Sequence, residues 1–332
     1  MSSDPSDDIL AGILRASGRR ATPSAEDRDT VLRAAGASWR RAVRARRRRR
    51  WVGAIAAGAV VVTLVVSMLG RRPGDGARVV TQASLVRGEV WMLAPEYPAW
   101  RRVRAGEPVI AGARLRTAAT TGAALSLSDG ASIRLRSATT LRFESRNGLR
   151  LDSGAVYVDT GAGGNSRPIR VHTEWGTVND LGTVFEVEWT PGELRVRVRE
   201  GRIRLERRGE HANVESRAGE ELAIDAGGFT QRREYPTSGG GWAWAEALAV
   251  APQSDDQPLL QFLEWVARET GRQLRFDAAD TRARAAAVRL HGSPRNLGPL
   301  DALSLMLATT DFEYRLEGET EILIRRRHPE SG

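Results

Sequence analysis

Residues 171–189 read VHTEWGTVNDLGTVFEVEW, with Gly-Thr-Val at 176–178 and again at 182–184. Two glycines this close between apolar runs fit a phosphate cradle, a ligand loop or a corner between strands. A phosphate loop needs Gly-x-x-x-x-Gly-Lys-Ser/Thr running into a helix, because backbone N–H groups and a lysine hold the phosphates. No lysine follows Gly182, and Val184-Phe-Glu-Val187 continues as strand. Gly176 and Gly182 are therefore expected in strand corners, where φ is unusual or two backbones approach closely.

The text around this stretch keeps the strand period. Residues 124–136 alternate apolar and polar around Asp129-Gly130, a strong hairpin signal. Residues 194–205 do the same around Glu200-Gly201, which predicts a second hairpin. Leu194, Val196, Val198, Ile203 and Leu205 would then face a core and the arginines water. Further runs occur at 149–158 and 169–173, with glycine punctuation between them. This predicts a β-sandwich or β-roll over 79–235.

Beyond it, Ser238-Gly-Gly-Gly241 and the residues to Asp256 read as a linker, 236–256. Pro258 then opens a helix with Leu259, Leu260, Phe262, Leu263, Val266 and Ala267 apolar, closed at Gly271. A strand at 273–276, a second helix from Pro299, and paired strands around Glu317-Gly318 complete a small α+β module over 257–326.

The net charge of +9 is concentrated at one end. Residues 1–50 hold 13 Arg against 6 Asp and Glu, while 71–332 hold 37 against 35. A nucleic-acid-binding body carries its excess on the folded domains, so no nucleic-acid partner is expected. Residues 51–70 contain no charge and reach roughly 30 Å as a helix, the thickness of a bilayer's hydrocarbon core. A signal peptide is shorter and starts nearer the N-terminus. Eight arginines in 40–50 against three in 71–78 place the N-terminus in the cytoplasm and the rest outside.

In the stub 1–50, Leu10, Ile13 and Leu14 share one helical face, and Leu32 and Trp39 share another. Two such short helices bury little against each other. They read either as a partner-docking segment or as a loose tail with Trp39 at the lipid interface.

Little here suggests catalysis. There is no cysteine, and His172, His211, His291 and His328 are far apart with no metal-binding spacing. No serine sits in a Gly-x-Ser-x-Gly elbow. Neither enzyme activity nor a cofactor or metal is expected.

Gly88-Glu-Val, Leu115-Arg-Thr117, Leu127-Ser-Asp-Gly-Ala-Ser-Ile133, Leu151-Asp-Ser-Gly-Ala-Val-Tyr-Val158, Val171-His-Thr173, Leu181-Gly-Thr-Val-Phe-Glu-Val187 and Val196-Arg-Val-Arg-Glu-Gly-Arg-Ile203 occur in order. This series resembles the FecR family of membrane-bound sigma-factor regulators. The structural positions of the pattern here are Asp129, Gly130, Gly154, Gly176, Gly182, Thr183, Phe185 and Gly201. The C-terminal module is similar to the short signalling domain of secretins and TonB-dependent receptors. The resemblance implies a Gram-negative inner-membrane regulator, of the kind tied to iron transport. Its partners would be an extracytoplasmic-function sigma factor inside and the signalling domain of a TonB-dependent outer-membrane receptor outside. The competing reading is an envelope scaffold, anchored in the bilayer without a sigma factor.

Overall fold

Period-two alternation from residue 79 onward becomes seventeen strands in the computed structural model. It describes residues 79–160, 167–208, 213–228, 230–252, 256–292, 294 and 296–327. The stub, the apolar segment 51–70, and with them Leu10, Ile13, Leu14, Leu32 and Trp39, lie outside the described residues. Among the described residues no helix is long and apolar enough to cross a membrane.

The strands are β1 (Val79–Arg87), β2 (Val90–Leu93), β3 (Arg101–Arg102), β4 (Pro108–Ile110), β5 (Arg114–Thr117), β6 (Gly122–Ser126), β7 (Ser132–Leu135) and β8 (Thr140–Phe143). Then follow β9 (Gly148–Asp159), β10 (Arg170–His172), β11 (Gly176–Asp180), β12 (Val184–Thr190), β13 (Glu193–Glu200), β14 (Arg202–Arg207), β15 (Asn213–Arg217), β16 (Glu220–Asp225) and β17 (Thr230–Glu234).

They pair as one sheet folded in two. One half runs β4-β1-β6-β7-β9-β12-β13-β16-β17. The other runs β3-β2-β5-β8-β9-β10-β11-β14-β15, antiparallel except between β9 and β10. Strand β9 belongs to both, bending at Gly154 (φ 90°). The inward residues of the two halves, Val156, Val187 and Val196 with Leu141, Val178 and Leu205 among them, form a single buried core.

The 124–136 hairpin forms as the alternation predicts, with Leu125 opposite Ile133 and Gly130 at φ 91° in the turn. The hairpin expected at 194–205 does not. Strand β13 pairs with β12 and β16, β14 pairs with β11 and β15, and the two never pair with each other. Glu200 still belongs to β13, which leaves Gly201 alone between the strands. The common tight hairpins need a two-residue loop, so this connection bends the chain instead of reversing it. Gly201 (φ 78°) and Gly182 (φ 87°), between β11 and β12, carry the chain from one half of the sheet to the other.

The segment expected as a linker is not a free spacer throughout. Helix α1 (Ala243–Glu246) and its flanks lie on the outer face of the sheet, with Trp242, Ala245, Leu248 and Ala249 buried. Beyond it a second apolar core forms around α2 (Leu259–Thr270), α3 (Ala279–Ala287) and α4 (Pro299–Leu307). Helix α2 starts after Pro258 and ends at Gly271 in the left-handed region (φ 64°). A three-stranded sheet, β19 (Gln273–Phe276) beside β22 (Glu321–Arg326) beside β21 (Phe312–Glu317), completes this lobe. The pair β18 (Gln257–Pro258) and β20 (Arg289–Leu290) precedes and follows α2 and α3. Helix α3 was not anticipated, because ADTRARAAA has no apolar stripe and buries only Thr281 and Ala285.

An added Cβ at Gly201 would run into the Gly182 carbonyl, whereas one at Gly182 meets nothing within 4 Å. Both carry positive φ, worth about 1–2 kcal/mol for a residue with a side chain. Gly201→Ala is therefore expected to destabilise more than Gly182→Ala, measured by denaturant unfolding of the β-rich part. Equal losses would mean that the close approach contributes nothing.

Candidate functional site

Along the outer face of one sheet half, the strand register lines up a row of side chains: Arg134, Tyr157, Glu186, Arg197, Glu221 and Arg233. Such outward positions normally face water. Here Arg134, Tyr157 and Glu186 are 1%, 1% and 0% exposed, and Arg199 is also buried. The arginines expected on the wet side are in part covered, because α1, its flanks and α2 pack over them.

Arg134 sits at the centre. Its Nη1 donates to the Ala245 carbonyl (2.9 Å), and its Nη2 lies 2.7 Å from both carboxylate oxygens of Glu269 in the last turn of α2. Its guanidinium lies over the Tyr157 ring, 4.9 Å from the centroid. Burial pulls this guanidinium down, but Glu269, Tyr157 and Asp159 together outweigh it, so it is held above its usual value and stays charged. Burial likewise pushes the Tyr157 hydroxyl up to about 12, against the opposing pull of Arg199 and Arg134.

Arg199 uses its whole fork. Nε donates to Thr237 O (2.7 Å), Nη1 to Glu269 O (2.8 Å) and Nη2 to Glu246 (2.7 Å), and the group lies over Trp242. Arg268 reaches back from α2 to Asp159 through two hydrogen bonds, the one from Nε at 3.2 Å. Arg87 donates to Asn296 O at 3.1 Å. Trp242 packs edge-on against Tyr157 and Tyr235.

A second cluster adjoins the first. Arg197 donates through Nε to Glu221 (2.7 Å) and through Nη1 to Glu186 (3.3 Å), while Arg136 binds both Glu186 and Glu188. Arg136 and Arg197 lie over Trp244 and Tyr235. Glu186 Oε2 has no hydrogen-bond partner among the described residues. Burial raises its carboxyl above the usual glutamate range, and Arg197 and Arg136 offset this only in part.

The described residues singled out in the sequence are not members of these clusters. Phe185 is in the core, and Gly176 is the close approach, since a Cβ there would stand 2.5 Å from Glu206 O. Thr183 donates to Arg202 O (2.6 Å), which ties the Gly182 corner to the Gly201 corner. Asp129 Oδ1 accepts from the Ala131 N–H across the hairpin turn. No group of His, Cys, Asp or Glu among the described residues is arranged to hold a metal. His172 bonds Thr177 (3.0 Å) on the neighbouring strand. Arg134, Arg199, Glu246 and Glu269 were missed. Their signal was local: Tyr157 and Val184 occupy outward strand positions, where an apolar side chain implies a covered face.

The family model described as FecR protein matches residues 113–204. The resemblance read from the sequence therefore holds over that part of the chain. Two crystal structures of a "putative anti-sigma factor" from Parabacteroides distasonis ATCC 8503, at 1.65 and 2.50 Å resolution, are similar at 17% and 15% identity. Each match covers 64% of this chain and 98% of that one, with TM-scores of 0.36 and 0.34. No curated protein matches the chain.

Removing one partner of a buried ion pair strands the other, at a cost of about 3–5 kcal/mol. Arg134→Met should lose that much in denaturant unfolding, and Arg134→Met with Glu269→Met much less than the sum of the single losses. Additive losses would show that the pair is not coupled.

The raised Glu186 carboxyl makes a signed pH prediction. The native state holds this proton at a pH where the unfolded chain has released it, so stability falls as pH rises from the ordinary glutamate value through the raised one. Glu186→Gln lacks that loss. Its melting temperature relative to the parent should be higher at pH 7 than at pH 4, and a difference independent of pH would refute the assignment.

Proposed function

We propose that the protein is a single-pass inner-membrane regulator that passes a periplasmic signal to an extracytoplasmic-function sigma factor by protein–protein binding. The observation that carries this is the FecR match over 113–204, in a chain whose arginine block and uncharged span precede it. On this reading residues 1–50 are cytoplasmic, 51–70 span the bilayer, and the C-terminus is periplasmic. The β part over 79–235 is a folded-over sandwich. Segment 236–256 connects it to the α+β module at 257–326, which takes the signalling domain of a TonB-dependent receptor. The role is binding rather than catalysis.

The scaffold reading is favoured by one observation: the charge pairs Arg134–Glu269 and Arg268–Asp159 tie the C-terminal lobe to the sheet. The stub separates the two. If Leu32 and Trp39 anchor a sigma factor, truncating each to alanine costs on the order of 2 kcal/mol, or about thirtyfold in affinity. The double variant should fail to capture the organism's sigma factors from the full-length, membrane-inserted chain, with its membrane level unchanged. Unaltered sigma-dependent transcription in that variant would favour the scaffold.

A further inference from the structure

The joint between α2 and the sheet is built differently from the two cores it separates. Each core is a closed apolar cluster, and the small third cluster beside the joint, Tyr157, Val184, Trp242 and Ala245 with Tyr235 and Trp244 against it, holds no residue of 257–327. Trp242, edge-on to Tyr157, and Ala245 lie on the strap around α1 in one buried cluster with Tyr157, so the strap belongs to the sheet side. What α2 and the residues after it add across the joint is polar: Glu269 to Arg134 and Arg199, Arg268 to Asp159, and Asn296 to Arg87. A cavity of about 350 Å³, lined by Val184, Arg199, Thr237, Ala267, Arg268 and Gly271, remains between the surfaces.

We propose that residues 257–327 leave the sheet as a folded lobe when the Arg134–Glu269 and Arg268–Asp159 pairs open, uncovering Val184 and the last turn of α2. The lobe keeps its core, and water and counter-ions replace the lost partners at the arginines. Charged groups bonded to one another in a joint regain hydration on separation, whereas parting either apolar core would not be compensated. The surface uncovered on the lobe carries Glu269 and Arg268 at a helix end. It fits a protein partner that presents an arginine to Glu269 and a carboxylate to Arg268, in place of Arg134 and Asp159. Such a partner binds only the open state and shifts the population toward it. This inference rests on the signalling reading above, and its test leaves the stub untouched.

The chain has no cysteine, so a single introduced thiol reports on the joint alone. Val184→Cys places it under α2, and Leu263→Cys places it in the lobe's own core. In the detergent-solubilised full chain, maleimide labelling of Cys at 184 should speed up by about tenfold or more when Glu269→Gln is added, the change expected on losing a hydrogen bond between charged groups. Arg268→Gln, a milder and partly exposed change, should act in the same direction. Labelling at 263 should stay slow in both backgrounds. Unchanged labelling at 184 in both variants would overturn the proposal. So would equal acceleration at 184 and 263, since the lobe would then be unfolding rather than departing.

Discussion

Gly201 has to turn the chain from one half of the sheet into the other within a single residue, with its α-carbon against the carbonyl of Gly182. The rest of the β architecture follows from that contact. Strands β11 and β12, β13 and β14, and β15 and β16 are three long strands, each bent once at a glycine with positive φ. Because they are hydrogen-bonded neighbours in both halves, a bend in one fixes where the next must bend. Val184 stands opposite Glu200 on one side of the corner, and Asp180 opposite Ile203 on the other. A side chain at Gly201 would push the corners apart and offset both ladders together. The two glycines of the 171–189 stretch thus serve different constraints. Gly182 supplies a dihedral that residues with side chains avoid. Gly176 supplies room for the β14 backbone beside it.

Folding the sheet in two leaves one outer face to be covered, and the covering is made largely of charge. Desolvating an arginine and a glutamate costs nearly as much as their attraction returns, so such a network adds little net stability. Its consequence is positional. Arg134 has acceptors only when the strap carbonyl of Ala245 and the carboxylate of Glu269 are both seated, and Arg199 needs Thr237, Glu246 and Glu269 at once. A shifted lobe would leave buried donors unpaired, at about 1–3 kcal/mol or more each. One register of lobe on sheet satisfies them all.

Much of this fold was legible because its signals are local. Period-two alternation marked several of the strands, Asp129-Gly130 placed a hairpin, and Pro258 and Gly271 bounded α2. What was not legible depends on partners distant in the chain. Glu200-Gly201 has the composition of a hairpin turn, and only the pairing of β13 and β14 with other strands shows a bend. Arg197 and Arg199 have the alternation of a solvent-facing strand side, and only the returning segment 237–270 puts them under cover. Trp242 sits among glycines that read as a spacer, yet its indole N–H donates to Pro236 O at 2.7 Å and its ring is fully buried. Helix α3, made of alanine and arginine, carries no apolar period to find.

The corner and the covered face are connected by short stretches of chain. Val184 is two residues from Gly182, Arg199 is two from Gly201, and Asp159 lies one residue before Thr160, whose hydroxyl accepts from the Thr183 N–H (3.1 Å). Thr160 also donates to Thr183 O, and Thr183 to Arg202 O, so the corner is cross-linked by side chains as well as by the ladders. The residues that receive α2 therefore stand on the most constrained part of the sheet. Arg199 and Asp159 meet the lobe from strand positions next to the cross-linked corner. On the lobe side, Glu269 and Arg268 sit at the frayable end of a helix, held in place by Gly271 and by the contacts of the joint itself. In the proposed opening it is therefore the lobe that moves, and the sheet face is the surface it leaves.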